Sequence, residues 1–127
     1  MDNLKYKVTD ASKKTVSVKG VVKKKSSVTI PATVSYGGAD YKVTGILAKA
    51  FKKNSKMTKL VIGANIEKIG KSAFEACSNL KNIIIKTKNL VMKNVGKKAF
   101  MGDKPKKVKV PKGMKKSYEK ILQKRGL

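Results

Sequence analysis

Leu60-Val-Ile-Gly-Ala-Asn-Ile-Glu-Lys-Ile-Gly-Lys-Ser-Ala-Phe-Glu-Ala-Cys-Ser-Asn-Leu80, continuing as Lys81-Asn-Ile-Ile-Ile85, decides how this chain folds. Leu60 and Ile62 alternate as a strand does, and Ile83 and Ile85 repeat them. Between the two pairs stand an extended piece at Ile66–Ile69 and the segment Lys71–Cys77, which reads as a brief helical turn in which alanine keeps the coil narrow. Working outward, the Ala-Phe pair of this stretch recurs as Ala50-Phe51, Ala73-Phe74 and Ala99-Phe100, at steps of 23 and 26 residues. Five positions before each phenylalanine stands Ile46, Ile69 or Val95, and eight before stands Val43, Ile66 or Met92. The downstream pair returns as Leu60/Ile62, Ile83/Ile85 and Val108/Val110, and Val28 with Ile30 leads the first unit. Six apolar positions held in phase through three units, with a period inside the roughly 20–29-residue window, are the signature of a stacked repeat.

No such unit buries its apolar face alone, so neighbours must stack. The expected fold is an α/β repeat solenoid, short and right-handed, with Ile30, Ile62, Ile85 and Val110 in register and Phe51, Phe74 and Phe100 in one internal row. The ends depart from the pattern. Residues 4–22 alternate on either side of Thr9-Asp-Ala-Ser12 and predict a hairpin covering the first coil. An insertion near residues 35–42, with Gly37-Gly38, predicts a second hairpin running into Tyr41–Thr44. Pro111 ends the last strand, and residues 113–125 read as a helix with Met114, Tyr118, Ile121 and Leu122 on one face and Gly126 past its end. The expected layout is one repeat domain over 1–127: a β cap over 1–27, coils over 28–110, and a helical cap over 111–127.

The quoted stretch resembles BspA-type leucine-rich repeats. A unit of that family runs as an aliphatic strand, often a proline, Val/Ile-x-x-Ile-Gly, then Ala-Phe-x-x-Cys and a closing leucine. The likeness covers about residues 28–110 and is densest from Ile66 to Leu80. Asn54 and Asp103 stand where that pattern has Cys77, Leu47 where it has Gly70, and Lys98 where it has Ser72. The lysine-heavy caps also resemble the carboxy-terminal regions of such surface proteins from anaerobic bacteria. The resemblance implies a secreted or cell-surface module for adhesion and binding, without catalytic residues. It also implies that the chain is a piece of a longer exported protein, since residues 1–30 hold no continuous apolar run of the signal-peptide kind.

Composition narrows the chemistry independently. The 127 residues include 31 lysines, one arginine (Arg125), seven acids, no histidine and one cysteine, Cys77. That set excludes a His-based general base, an internal disulfide and a cysteine zinc site. The acids are scattered singly, so no enzyme, cofactor or metal is expected. Gly70-Lys71-Ser72 imitates the end of a P-loop, but Asn65 occupies the place of its first glycine and Gly96-Lys97-Lys98 repeats the same slots. Ser78–Lys81 and Ser117–Lys120 match Ser-x-x-Lys, as a chain this rich in lysine does by chance. Cys77 reads as a small residue packed at a corner of the coil.

The net charge of +25 is spread along the chain, +11 over residues 1–64 and +14 over 65–127. Such a chain attracts polyanions. Its densest clusters are Lys23, Lys24 and Lys25, and then Lys104, Lys106, Lys107 and Lys109. Lys49, Lys71 and Lys97, each just before an Ala-Phe pair, are expected to line one solenoid edge as a cationic stripe. With one arginine, and the phenylalanines assigned to the core, nucleic acid would be held only nonspecifically through phosphate. The expected partners are anionic envelope or matrix polymers, or a surface protein of host or bacterium, met by a monomer outside the cell. No run of about 18 apolar residues is present, so no membrane-spanning helix is expected. A solubilising coat is the competing reading of the same lysines.

Overall fold

The computed structural model describes residues 3–127; Met1 and Asp2, which open the expected N-terminal cap, lie outside the described residues. The chain winds through two sheets and a turn segment per coil. Sheet B is parallel, in the order β3 (Ser27–Thr29), β6 (Lys59–Ile62), β8 (Asn82–Ile85) and β9 (Lys107–Lys109). Sheet A runs β1 (Leu4–Asp10), β2 (Thr15–Val21), β5 (Ala39–Ile46) and β4 (Thr33–Tyr36), with β7 (Lys68–Ile69) also paired to β5. A single bridge, Ile69 to Val95, continues it into the last coil.

The repeated aliphatic positions face inward. In sheet B, Val28, Leu60 and Ile83 form one buried column, and Ile30, Ile62 and Ile85 the other. Leu60 pairs with Ile83 and Ile62 with Ile85, which is the register the spacing predicts. The phenylalanines form the expected internal row. Phe51 and Phe74 stack at 5.1 Å and 10°, and Phe74 and Phe100 at 5.3 Å and 16°.

Both predicted hairpins form. β1 pairs antiparallel with β2, and β2 lies parallel to β5, so the first hairpin extends sheet A beyond the first coil. Asp10 closes its turn by accepting the Lys13 N–H (2.9 Å), the Ser12 hydroxyl (2.8 Å) and the Ser12 N–H (3.0 Å), which together hold its carboxyl below the usual carboxylate range. The second hairpin, β4 with β5, turns at Gly37 and Gly38, both at positive φ.

Two local expectations are corrected. Lys71–Cys77 is not a helical turn. Lys49, Lys53, Ser72, Ala76 and Lys98 all adopt left-handed backbone angles, with φ between 58° and 62°. A helix would aim its N–H groups at its own preceding carbonyls. Here every second N–H instead donates to the next coil: Ser72, Phe74 and Ala76 reach the carbonyls of Lys97, Ala99 and Met101 at 3.0, 2.7 and 2.7 Å. Lys49, Phe51 and Lys53 bond in the same way to Lys71, Ala73 and Glu75. Satisfying buried backbone between coils outweighs the cost of about 1–2 kcal/mol for each strained residue. The C-terminal helix, α1, spans Lys115–Lys124 rather than 113–125, because Gly113 at φ 83° is incompatible with a helical start.

The helix closes the stack through buried apolar side chains and through polar contacts to backbone. Tyr118, Ile121 and Leu122 are buried, and the Tyr118 hydroxyl donates to the Thr87 carbonyl at 2.7 Å while accepting the Leu90 N–H at 3.2 Å. Arg125 Nε donates to the Val95 carbonyl at 2.6 Å and its guanidinium reaches the Met92 carbonyl at 3.1 Å, while Phe100 N–H donates to the Arg125 carbonyl at 2.9 Å. Gly126 packs so tightly on Met101 that an added Cβ would lie 2.5 Å from its Cα.

Candidate functional site

All ten lysines singled out from the sequence are exposed, but they fall into two groups on different sides of the coil. Lys49, Lys71 and Lys97 lie where sheet A gives way to the turn segment. Lys71 and Lys97 share one slot; Lys49 occupies the next one, that of Ser72 and Lys98, as their common left-handed angles show. The stripe is therefore staggered by one residue rather than in phase.

The second group is denser than the sequence suggested. The strands of sheet B are entered through Ser26, Thr58, Lys81 and Lys106, tied rung to rung by N–H···O bonds of 2.7, 2.9 and 2.8 Å. The outward rows that follow are Ser27, Lys59, Asn82 and Lys107, then Thr29, Val61, Ile84 and Lys109. Strands about 4.8 Å apart place Lys59 within roughly 10 Å of Lys107. Neither these rows nor the entry slot contains a carboxylate. Lys104 immediately precedes this corner. Lys23, Lys24 and Lys25 enter β3 at the opposite edge of the sheet, with the Lys23 N–H held by the Asn3 side chain at 3.1 Å.

Lys59 and Lys81 were missed because neither lies in a lysine run; the signal available was their repeated place at the head of each strand. Among the described residues the ion pair found is Lys52 with Glu75 at 3.8 Å, so none of the ten lysines is neutralised by an acid. The groove over the outer face of sheet A, about 750 Å³, differs: Asp10 and Glu67 mix there with Lys13, Lys68 and Lys93.

The remaining reactive candidate is inert. Cys77 is fully buried, and its Sγ donates to the Phe51 carbonyl at 3.1 Å. Its N–H donates to Asp103 Oδ1 at 2.9 Å. Burial, with the Asp103 carboxylate beside it, pushes the thiol up to about 12, so thiolate chemistry is suppressed. Its small-residue slot is thus a hydrogen-bonded one, shared with Asn54 and Asp103. Burial pushes the Asp103 carboxyl up to about 7. Among the described residues no group of three or more cysteine, aspartate or glutamate side chains is placed to hold a metal ion, and no helix is long and apolar enough to cross a membrane.

Residues 44–125 match the BspA type leucine rich repeat region, in six copies. The chain belongs to the BspA-type leucine-rich repeat family. The match starts later than the resemblance seen in the sequence and extends through the capping helix. No curated protein matches the chain. Among solved structures, it is similar to a leucine-rich repeat protein from Bacteroides ovatus, with 26% identity over 87% of this chain and 36% of that one, at a TM-score of 0.66. A leucine rich cell surface protein from Faecalibacterium prausnitzii aligns with 84% of this chain and 31% of its own, at 24% identity and a TM-score of 0.63. A leucine-rich repeat protein from Bacteroides capillosus aligns over 80% of this chain and 79% of its own, at 24% identity and a TM-score of 0.62. The chain spans about a third of the length of the first two.

Proposed function

We propose that this chain is a non-catalytic interaction module of a secreted or cell-surface protein, and that it binds anionic envelope or matrix polymers through the lysines around sheet B. The observation that carries the reading is the acid-free cluster of Lys59, Lys81, Lys106, Lys107 and Lys109 on consecutive rungs of a rigid sheet. Charges fixed at a strand spacing present a periodic surface to a linear polymer, whereas a solubilising coat needs no such order. The likeness to a bacterial leucine rich cell surface protein supports the location. Lysine without arginine favours charge density over base or shape readout.

Binding to heparin, teichoic acid and DNA, titrated against salt, tests this. The three should compete at matched charge density and be released at a few hundred millimolar salt. Replacing Lys81, Lys106 and Lys107 together by glutamine should lower the logarithmic salt slope for DNA by about 2–3 units. The same triple change at Lys49, Lys71 and Lys97 should lower it less, since those lysines are staggered. No saturable binding at physiological ionic strength would leave the lysines as a coat. A sequence preference among DNAs surviving moderate salt would make the partner a nucleic acid.

A further inference from the structure

The C-terminal helix closes two of the three sides of the last coil and leaves the third open. The sheet A side is closed by the Arg125 side chain on the Val95 and Met92 carbonyls. The turn side is closed by the Arg125 carbonyl on Phe100 N–H and by Gly126 against Met101. Sheet B ends at β9, which has β8 on one side and, among the described residues, no strand on the other. Lys107 N–H donates to the Lys81 carbonyl, so Lys107 and Lys109 turn their backbone toward β8. By the alternation of a parallel ladder, Val108 and Val110 then turn theirs outward.

The inner column shows the same interruption. Val28, Leu60 and Ile83 are 3%, 0% and 1% exposed, but Val108, the next member, is 39% exposed. Between β9 and α1 lies a groove of about 760 Å³ whose apolar lining is Val108, Val110, Pro111, Leu122 and Leu127. Its charged rim is Lys109, Lys112 and Lys115 against a single acid, Glu119, with Lys107 adjoining.

We propose that this groove receives an extended acidic segment of a partner protein, which adds to β9 as a fifth strand of sheet B. Its backbone would pair with the outward groups of Val108 and Val110. An apolar residue on its inner side would cover Val108 as Ile83 is covered by its neighbours, and acidic residues would meet the lysines of the rim. A strand added at a sheet edge takes affinity from backbone pairing and specificity from alternate side chains. A second copy of the chain is disfavoured as occupant because each carries a net charge of +25. The groove shares Lys109, and the adjoining Lys107, with the polymer surface proposed above, but its defining contacts are backbone bonds and apolar cover, which a polymer held by charge alone does not need.

The test uses the full chain and a synthetic peptide of about eight residues alternating glutamate and valine. Its control has the same sequence with every second backbone nitrogen methylated, which keeps the charge and removes the strand donors. The first peptide should bind by fluorescence anisotropy and shift the amide NMR signals of residues 107–110 and of α1; the control should not. Val108→Pro removes one outward N–H and no bond to β8, so it should weaken the peptide at least tenfold and leave heparin binding unchanged. Equal binding of the methylated peptide, or signals that shift elsewhere, would overturn the proposal and leave attraction by charge. If Val108→Pro misfolds, the methylation contrast and the shift map on the unaltered chain still decide it. Dimerisation through β9 without peptide, seen by sedimentation, would also overturn it, with a second copy as the occupant.

Discussion

The middle coil, from Leu60 to Leu80, and the last coil, from Ile83 to Asp103, follow one template yet are built differently. The middle coil contributes β7 to sheet A; the last offers a 3-10 turn at Met92–Asn94 and one bridge at Val95. Phe74 lies between two rings, whereas Phe100 has one ring and a backbone bond to the cap. At the second left-handed corner the middle coil has Ala76 and the last has Gly102. In the corner slot Cys77 gives way to Asp103. An interior rung is specified by neighbours like itself, so consensus residues suffice. A terminal rung meets something unlike itself and needs its own solution.

The largest expected effect tests that contrast in the core. Phe74→Ala should lose about 3–5 kcal/mol in urea unfolding, because it empties a slot walled on both sides. Phe100→Ala should lose about 0.5–1.5 kcal/mol less, the worth of one aromatic pair. Equal losses would mean that the cap packs on Phe100 as well as a coil does.

The next effect separates Asp103 from the residues sharing its slot. Its folded value is raised, so the native state holds the proton more tightly than the unfolded chain does. Stability is therefore greatest below the unfolded value near 3.8 and declines as pH rises to about 7, the loss then being complete. A shift of that size corresponds to roughly 4 kcal/mol. Asp103→Asn, which installs the residue found at Asn54, should raise Tm at pH 8 and change it little at pH 4. A uniform change across that range would mean that Asp103 titrates as an ordinary surface acid.

The smallest effect concerns the corner backbone. Ala76→Gly should stabilise the middle coil by about 0.5–1 kcal/mol, since Ala76 sits at φ 60° where glycine is unstrained. Calorimetry showing a loss instead would mean that the alanine methyl contributes packing that outweighs the strain.

These differences also explain what could be seen in the sequence. The columns through Leu60, Ile69 and Phe74 were legible because burial demands one residue type at each slot, and repetition exposes the demand. The left-handed corners were not, because lysine, serine and alanine all occupy them, at Lys49, Lys53, Ser72, Ala76 and Lys98, and none is a residue type that signals a left-handed backbone; only the backbone repeats there. A ladder between coils leaves no trace in hydrophobic spacing, so Lys71–Cys77 read as helical. The lysine surface was half legible. Runs such as Lys23–Lys25 stand out, whereas Lys59 and Lys81 join Lys107 only once the register is known. The Lys49 stagger is legible in the sequence, since Lys49 stands two residues before Phe51 while Lys71 and Lys97 stand three before Phe74 and Phe100.

The cap's polar contacts have one property in common: Arg125 and Tyr118 touch only main-chain atoms, the carbonyls of Val95, Met92 and Thr87 and the N–H of Leu90, while Phe100 N–H meets a main-chain carbonyl in return. A stopper whose polar contacts read backbone geometry asks of the coil beneath it only apolar cover for Tyr118, Ile121 and Leu122, not a matching set of polar side chains. Coils can then be duplicated or deleted upstream without rewriting the terminator, so the length of the array becomes an evolutionary variable decoupled from its ending. The sole arginine of the chain marks that boundary, and it offers a portable end-piece for building repeat arrays of chosen length.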